Sequence, residues 1–262
     1  MKISDFKRKK QHGEKITVLT CYDYPSARTI AESKLDCVLV GDSVAMAVHG
    51  HDTTVMATLE MMILHTQAVA RGLTQQFLIS DLPFLCHRLS LRDTVECVRQ
   101  LMQAGAHAVK IEGGDEDTCQ TITHLVTAGV PVIGHIGLTP QSFYQLGGYK
   151  VQGREEKQAA ELLRQAQRLE ASGCTALVIE CVPLSVAETI TQALSIPTIG
   201  IGAGVGTDGQ VLVWHDMLGL QSEFRPKFLK QYLNGKALTL NAINAYVDEV
   251  RQAAFPTPDH AF

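Results

Sequence analysis

Short apolar runs recur along this chain, almost to the end at intervals that leave room for a helix between neighbours. Eight of them predict strands: ITVLTCY (16–22), CVLVGD (37–42), QFLISD (76–81), AVKIE (108–112), PVIGH (131–135), ALVIE (176–180), PTIGIG (197–202) and QVLVWHD (210–216). Each is short, rich in β-branched or aliphatic residues and followed by turn residues. The intervening segments carry apolar residues at helical spacing. Residues 94–104 place Val95, Val98, Leu101 and Met102 on one face, and 156–171 do the same with Leu162, Ala166 and Leu169. Strands alternating with helices predict parallel βαβ units and an α/β fold. The part from Phe224 onward predicts helix and a loose, proline-containing end.

An internal repeat narrows the architecture. LMQAGAHAVKIE (101–112) aligns without gaps on LEASGCTALVIE (169–180), and VPVIG (130–134) agrees with IPTIG (196–200). A recurring helix–strand unit suits a closed (β/α)₈ barrel better than an open sheet with a switch point. The repeat also makes Glu112 and Glu180 equivalent positions, both at the C-terminal end of a strand. Lys110 and Glu112 lie two residues apart and share a strand face, with Ile111 turned toward the helices.

Composition bounds the rest. The 262 residues fit one barrel domain over 1–262, since such barrels run to about 250 residues. The ends supply extra helices, the first of them carrying the basic stretch Lys7 to Lys10. Net charge is −4 with both signs scattered, which gives no electrostatic case for nucleic acid or an anionic membrane. No apolar stretch reaches the length of a membrane span, and the first residues lack the apolar core of a signal peptide. The seven cysteines form no C-x-x-C pair, so buried, reduced thiols and a cytoplasmic protein are expected.

The candidate chemistry sits at strand ends, where barrel enzymes carry their active sites. Five runs close on ionisable residues: Asp42, Asp81, Lys110 with Glu112, His135 and Glu180. Buried charge is costly unless paired or metal-bound. Asp42, Asp81 and Glu112 are hard oxygen donors suited to Mg²⁺, or else caps of the following helices. Lys110 is suited to a Schiff base, to stabilising developing negative charge, or to pairing with Glu112 or Asp81. His135 either orients a substrate carboxylate or satisfies core polar groups. Glu180, in an apolar run, is suited to general-base work, and Ser43 can donate to a substrate oxygen. Cys181 is an alternative thiol nucleophile. The glycine-rich stretch 199–206 reads as a phosphate loop or a close-packed strand exit, and 147–154 as a lid. His49 and His51 are expected to be loop features rather than a zinc site.

These residues stand within motifs that resemble the ketopantoate hydroxymethyltransferase family. The resemblance runs through TCYDYPSA, LVGDS, GHDTT, DLPF, VKIEGG, GHIGLTPQS, GGYKVQGR, ECVP, GIGAG, TDGQVLVWHD and RPKF. It implies a (β/α)₈ barrel of the phosphoenolpyruvate/pyruvate type that transfers a hydroxymethyl group from 5,10-methylenetetrahydrofolate to a keto acid, 3-methyl-2-oxobutanoate, on the way to pantothenate and coenzyme A. By motif, Asp42 and Asp81 resemble the family's Mg²⁺ ligands and Glu112 its third metal-site carboxylate. Ser43, Lys110 and His135 resemble the residues that hold the keto acid, and Glu180 the base. The resemblance also implies a homodecamer. The chain departs from the pattern at His49, where glutamine is expected, and across 44–48. Two other readings compete: a C–C lyase of the isocitrate-lyase type, with Cys86 as its thiol, and a barrel that binds without catalysing.

Overall fold

The computed structural model describes residues 1–221 and 226–262. Each expected run forms a strand: β1 (Ile16–Thr20), β2 (Cys37–Val40), β3 (Phe77–Asp81), β4 (Ala108–Glu112), β5 (Val132–Gly137), β6 (Ala176–Glu180), β7 (Thr198–Ile201) and β8 (Gly209–Leu212). They pair in parallel, each with its sequence neighbour, and β8 closes on β1 to complete the barrel. Only β4 and β6 keep both expected bounds; the other boundaries shift by up to four residues, and two of the shifts bear on the argument. β2 ends at Val40, so Asp42 stands in the turn beyond it. The last strand stops at Leu212, paired with Leu19 of β1, and Trp214–Met217 is a short helix instead of strand.

Strand parity decides what faces the barrel axis. Ile16, Val18, Cys37, Leu39, Phe77, Ile79, Ala108, Ile133, Ala176, Val178, Ile199 and Val211 form one interior cluster. Continuing the same alternation toward the C-terminal strand ends brings Asp81, Lys110, Glu112, His135 and Glu180 to that inner face. At the opposite end, Phe6 of the helix Ile3–Gln11 is fully buried and meets Phe77 edge-on, with ring centroids 5.2 Å apart.

The other parity faces the helices. Gly134 shows why β5 carries a glycine there: a Cβ would stand 3.1 Å from both Leu169 and Leu177. The helix Glu156–Ala171 therefore closes directly on the sheet, burying Leu162, Ala166 and Leu169 as expected. The helix Leu91–Gln103 buries Thr94, Cys97, Val98 and Leu101. Its inner face is rotated from the expected one, leaving Val95 37% exposed.

The chain divides into two compact units, Met1–Val213 and Trp214–Phe262. The second holds the helix Gly235–Arg251 and a 3₁₀ turn at Pro258–His260. Its helix begins well after Phe224, which lies outside the described residues, as does the arginine of RPKF. Among the described residues no helix is long and apolar enough to cross a membrane.

Candidate active site

Register brings the charged strand ends together. Asp81 is the cross-strand partner of Lys110, and Glu112 that of His135. Lys110 Nζ consequently lies 3.1 Å from Asp81 Oδ1 and 3.7 Å from Glu112 Oε1. His135 Nδ1 is 3.1 Å from Lys110 Nζ and 3.3 Å from Glu112 Oε1, while its Nε2 is 3.2 Å from Glu180 Oε2. Asp42 joins from the turn after β2, its backbone N–H donating to Asp81 Oδ2 at 3.0 Å. Asp42, Asp81, Lys110, Glu112 and His135 are all buried, and the Glu180 side chain keeps 16% exposure. Ser43 follows Asp42, with its Oγ 2.8 Å from the hydroxyl of buried Tyr22.

Four carboxylates here face two cations, and burial sharpens the imbalance. Asp42 is pushed well above the ordinary carboxylate range by burial and by the neighbouring Asp81 and Glu112, against the pull of Lys110 and Gln141. Burial also raises Asp81, with Lys110 opposing. For Glu112, His135 and Lys110 outweigh burial and hold it down. Burial works against the Lys110 ammonium, but Asp81, Glu112 and Asp42 outweigh it and keep the charge. Burial and Lys110 pull His135 down, yet Glu112 and Glu180 raise it to about 9. Set between these two carboxylates, His135 is biased toward its charged form, with Lys110 opposing.

Two residues at this site carry no ionisable strand-end signal, and a third, His87, lies outside the acid cluster in the wall of a neighbouring cavity. Gln141, in the 3₁₀ turn Pro140–Ser142 after β5, donates from Nε2 to Asp42 Oδ2 and to the Leu82 carbonyl, both at 2.9 Å. Its backbone N–H donates to Glu112 Oε2 at 3.0 Å, so one residue grips two of the carboxylates. It lies inside GHIGLTPQS, but a search for charges passes over an amide. Tyr149, from the second glycine-rich stretch, is pushed up to about 12 by burial and then by Asp42, Glu180 and Glu112, which places it within electrostatic reach of the acids. That stretch is tied to the chain after Glu180, because Gln152 N–H donates to the Cys181 carbonyl at 2.9 Å. His87, in the loop after β3, is buried with no partner for Nδ1.

The donor set fits a hard divalent cation. Asp81 Oδ1 and Glu112 Oε1 are buried with no aligned hydrogen bond, and a cation beside Asp42 would offset the burial and the repulsion that raise it. Among the described residues no three His, Cys, Asp or Glu side chains are placed to hold an ion by themselves. Mg²⁺ does not require that, since it commonly uses one or two carboxylates and keeps several waters.

Other candidate chemistry disperses. Burial pushes the Cys181 and Cys86 thiols up to about 12, so neither is a ready nucleophile. In the stretch 199–206 a Cβ on Gly204 would stand 2.1 Å from Leu184 and one on Gly206 2.2 Å from Glu188. Those glycines serve close packing of the helix Leu184–Ala193. His49 Nε2 meets His65 Nε2 at 2.9 Å rather than His51.

Similarity to known proteins agrees with this geometry. Residues 1–258 match the family model described as ketopantoate hydroxymethyltransferase. The chain is 68% identical over 262 residues to a 3-methyl-2-oxobutanoate hydroxymethyltransferase of Legionella pneumophila (strain Paris), covering 100% of both chains. It is 51% identical over 256 residues to the enzyme of that name from Coxiella burnetii (strain CbuG_Q212), covering 98% of this chain and 96% of the other. In fold it resembles 2,3-dimethylmalate lyase, a PEP mutase/isocitrate lyase superfamily member, with TM-score 0.62 and 17% identity over 99% of this chain and 91% of the other. Charged strand ends gathered at one barrel mouth, within a chain matched over nearly its whole length, place it: this chain belongs to the ketopantoate hydroxymethyltransferase family and is a hydroxymethyltransferase.

Proposed function

We propose that this enzyme transfers a hydroxymethyl group from 5,10-methylenetetrahydrofolate to 3-methyl-2-oxobutanoate, giving 2-dehydropantoate. The observation that carries the reading is the gathering of Asp42, Asp81, Lys110, Glu112, His135 and Glu180 at one mouth of the barrel, within a chain 68% identical to a relative of that name. Asp42 and Asp81 would hold Mg²⁺, with Glu112 acting through water. When bound, the ion supplies Lewis acidity toward the carboxylate and ketone oxygens of the keto acid.

The chain's own residues do the remaining work. Ser43 and His135 hold the keto acid's oxygens, and Lys110 presents a fixed positive charge to the oxygen that becomes an enolate. Glu180 removes the C3 proton, with its partly open carboxylate facing the mouth and His135 orienting it. The C3 carbanion equivalent forms a bond to the methylene carbon of the donor as one of that carbon's two C–N bonds breaks, the freed nitrogen taking up a proton and the other nitrogen staying attached. Water then replaces the folate nitrogen there, leaving the hydroxymethyl group on C3 and releasing tetrahydrofolate. Gln141 fixes Asp42 and Glu112 in place.

The test is product formation from 3-methyl-2-oxobutanoate, with and without 5,10-methylenetetrahydrofolate and with and without a chelator. 2-Dehydropantoate is expected only when donor and divalent ion are both present. Cleavage of a longer acid without donor would favour a lyase and overturn the reading.

A further inference from the structure

We propose that a cavity of about 590 Å³ beside the acid cluster is the binding site for the second substrate, a flat reduced pterin carrying an aromatic tail, held by Phe84, Tyr144 and His87. This rests on the hydroxymethyl-transfer reading above. The cavity is lined by Glu112 and Gln141, so a molecule in it borders the group of side chains that would bind the keto acid. Its volume falls within the roughly 300–1,000 Å³ usual for small-molecule sites.

The walls fit a flat conjugated ring with a polar edge. Phe84, Leu85 and Tyr144 line the cavity and are 37%, 49% and 74% exposed, which is a high cost for large apolar groups clustered on one rim. Aromatic faces of this kind stack on flat rings. His87 also lines the cavity and is only 8% exposed, yet its Nδ1 has no hydrogen-bond partner. A buried polar atom left unpaired is uncommon and costly, and it is explained by a ligand that completes it. A pterin edge carries both N–H donors and carbonyl or ring-nitrogen acceptors, so it satisfies Nδ1 in either tautomer. Arg88 lines the cavity as well, but its Nη1 is 2.9 Å from Asp115 Oδ1, another lining residue, so their charges cancel. Recognition therefore comes from stacking and the ring edge rather than net charge. With Glu112 and Gln141 in its wall, the cavity would bring the donor against the acid cluster, as a carbon–carbon bond between the two substrates requires.

The experiment separates the two substrates. Exchange of the C3 proton of 3-methyl-2-oxobutanoate for deuterium requires no donor, whereas hydroxymethyl transfer does. Tyr144→Ala, at an exposed position, and His87→Leu are expected to raise the KM for 5,10-methylenetetrahydrofolate about three- to tenfold each. Both are expected to weaken tetrahydrofolate binding in calorimetry by similar factors, while the KM for the keto acid and the C3 exchange rate stay within twofold of wild type. Unchanged donor KM and tetrahydrofolate affinity in both variants, with exchange intact, would overturn the cavity assignment alone. Loss of exchange in step with the donor KM would also overturn it, because the residues would then act on the keto-acid site. Absence of exchange in the wild-type protein would instead overturn the reading on which it rests.

Discussion

The two ends of the barrel interior are built from the same strands by the same alternation, and they differ in nearly everything else. At the N-terminal end the inward residues are apolar, and Phe6 plugs the opening against Phe77. At the C-terminal end the inward residues are Asp81, Lys110, Glu112, His135 and Glu180, which pair across neighbouring strands. One end gains stability from dispersion and apolar burial. The other spends it, because buried charges rarely recover their desolvation cost from each other. The contrast teaches that the mouth is built for chemistry and the plug holds the frame that fixes its geometry.

That division of labour can be broken from either side. The largest effect on stability is expected from Phe6→Ala, about 3–5 kcal/mol by denaturant titration, with kcat of the folded fraction unchanged. Lys110→Met is expected to lower kcat by roughly 10²–10³, as for loss of a preorganised electrostatic partner, and steady-state kinetics at saturating keto acid would show it. If Phe6→Ala instead lowered kcat as far as Lys110→Met, the two ends would not be separable. Gln141→Leu removes donors from Asp42 and Leu82, and Mg²⁺ affinity measured by calorimetry is expected to fall about 10- to 100-fold.

The smallest effect is a pH dependence that sharpens the comparison at the mouth. Burial first, then Arg88, depresses His87 to about 4. Between about pH 6.5 and 4 the unfolded chain binds a proton there that the native protein does not. This residue's contribution therefore makes stability decline as pH falls through that window and level off below it. His87→Leu is expected to flatten that part of a stability–pH curve.

What was legible in the sequence follows from cost. Charges closing apolar runs are expensive wherever they are buried, so Asp42, Asp81, Lys110, Glu112, His135 and Glu180 stood out, and the repeat placed Glu112 and Glu180 at corresponding strand ends. Gln141, Tyr22 and His87 did not stand out. Gln141 and Tyr22 act through partners from segments far away in the chain, and His87 sits in a loop with no partner for its Nδ1. The end of β8 differs from the expected one because VLVW continues the apolar pattern past Leu212, the last residue that pairs with β1. The face of the helix Leu91–Gln103 was set by Cys97 rather than by Val95, a choice that depends on packing against neighbours and not on periodicity.

The central claim is that one carboxylate at the mouth, Glu180, removes the C3 proton while the others set up the site around it. Deuterium exchange at C3 of 3-methyl-2-oxobutanoate, with Mg²⁺ present and donor omitted, tests this most directly in Glu180→Gln. The account predicts a fall of roughly 10²–10⁴ in exchange rate with keto-acid affinity retained. Exchange at the wild-type rate in that variant would contradict it.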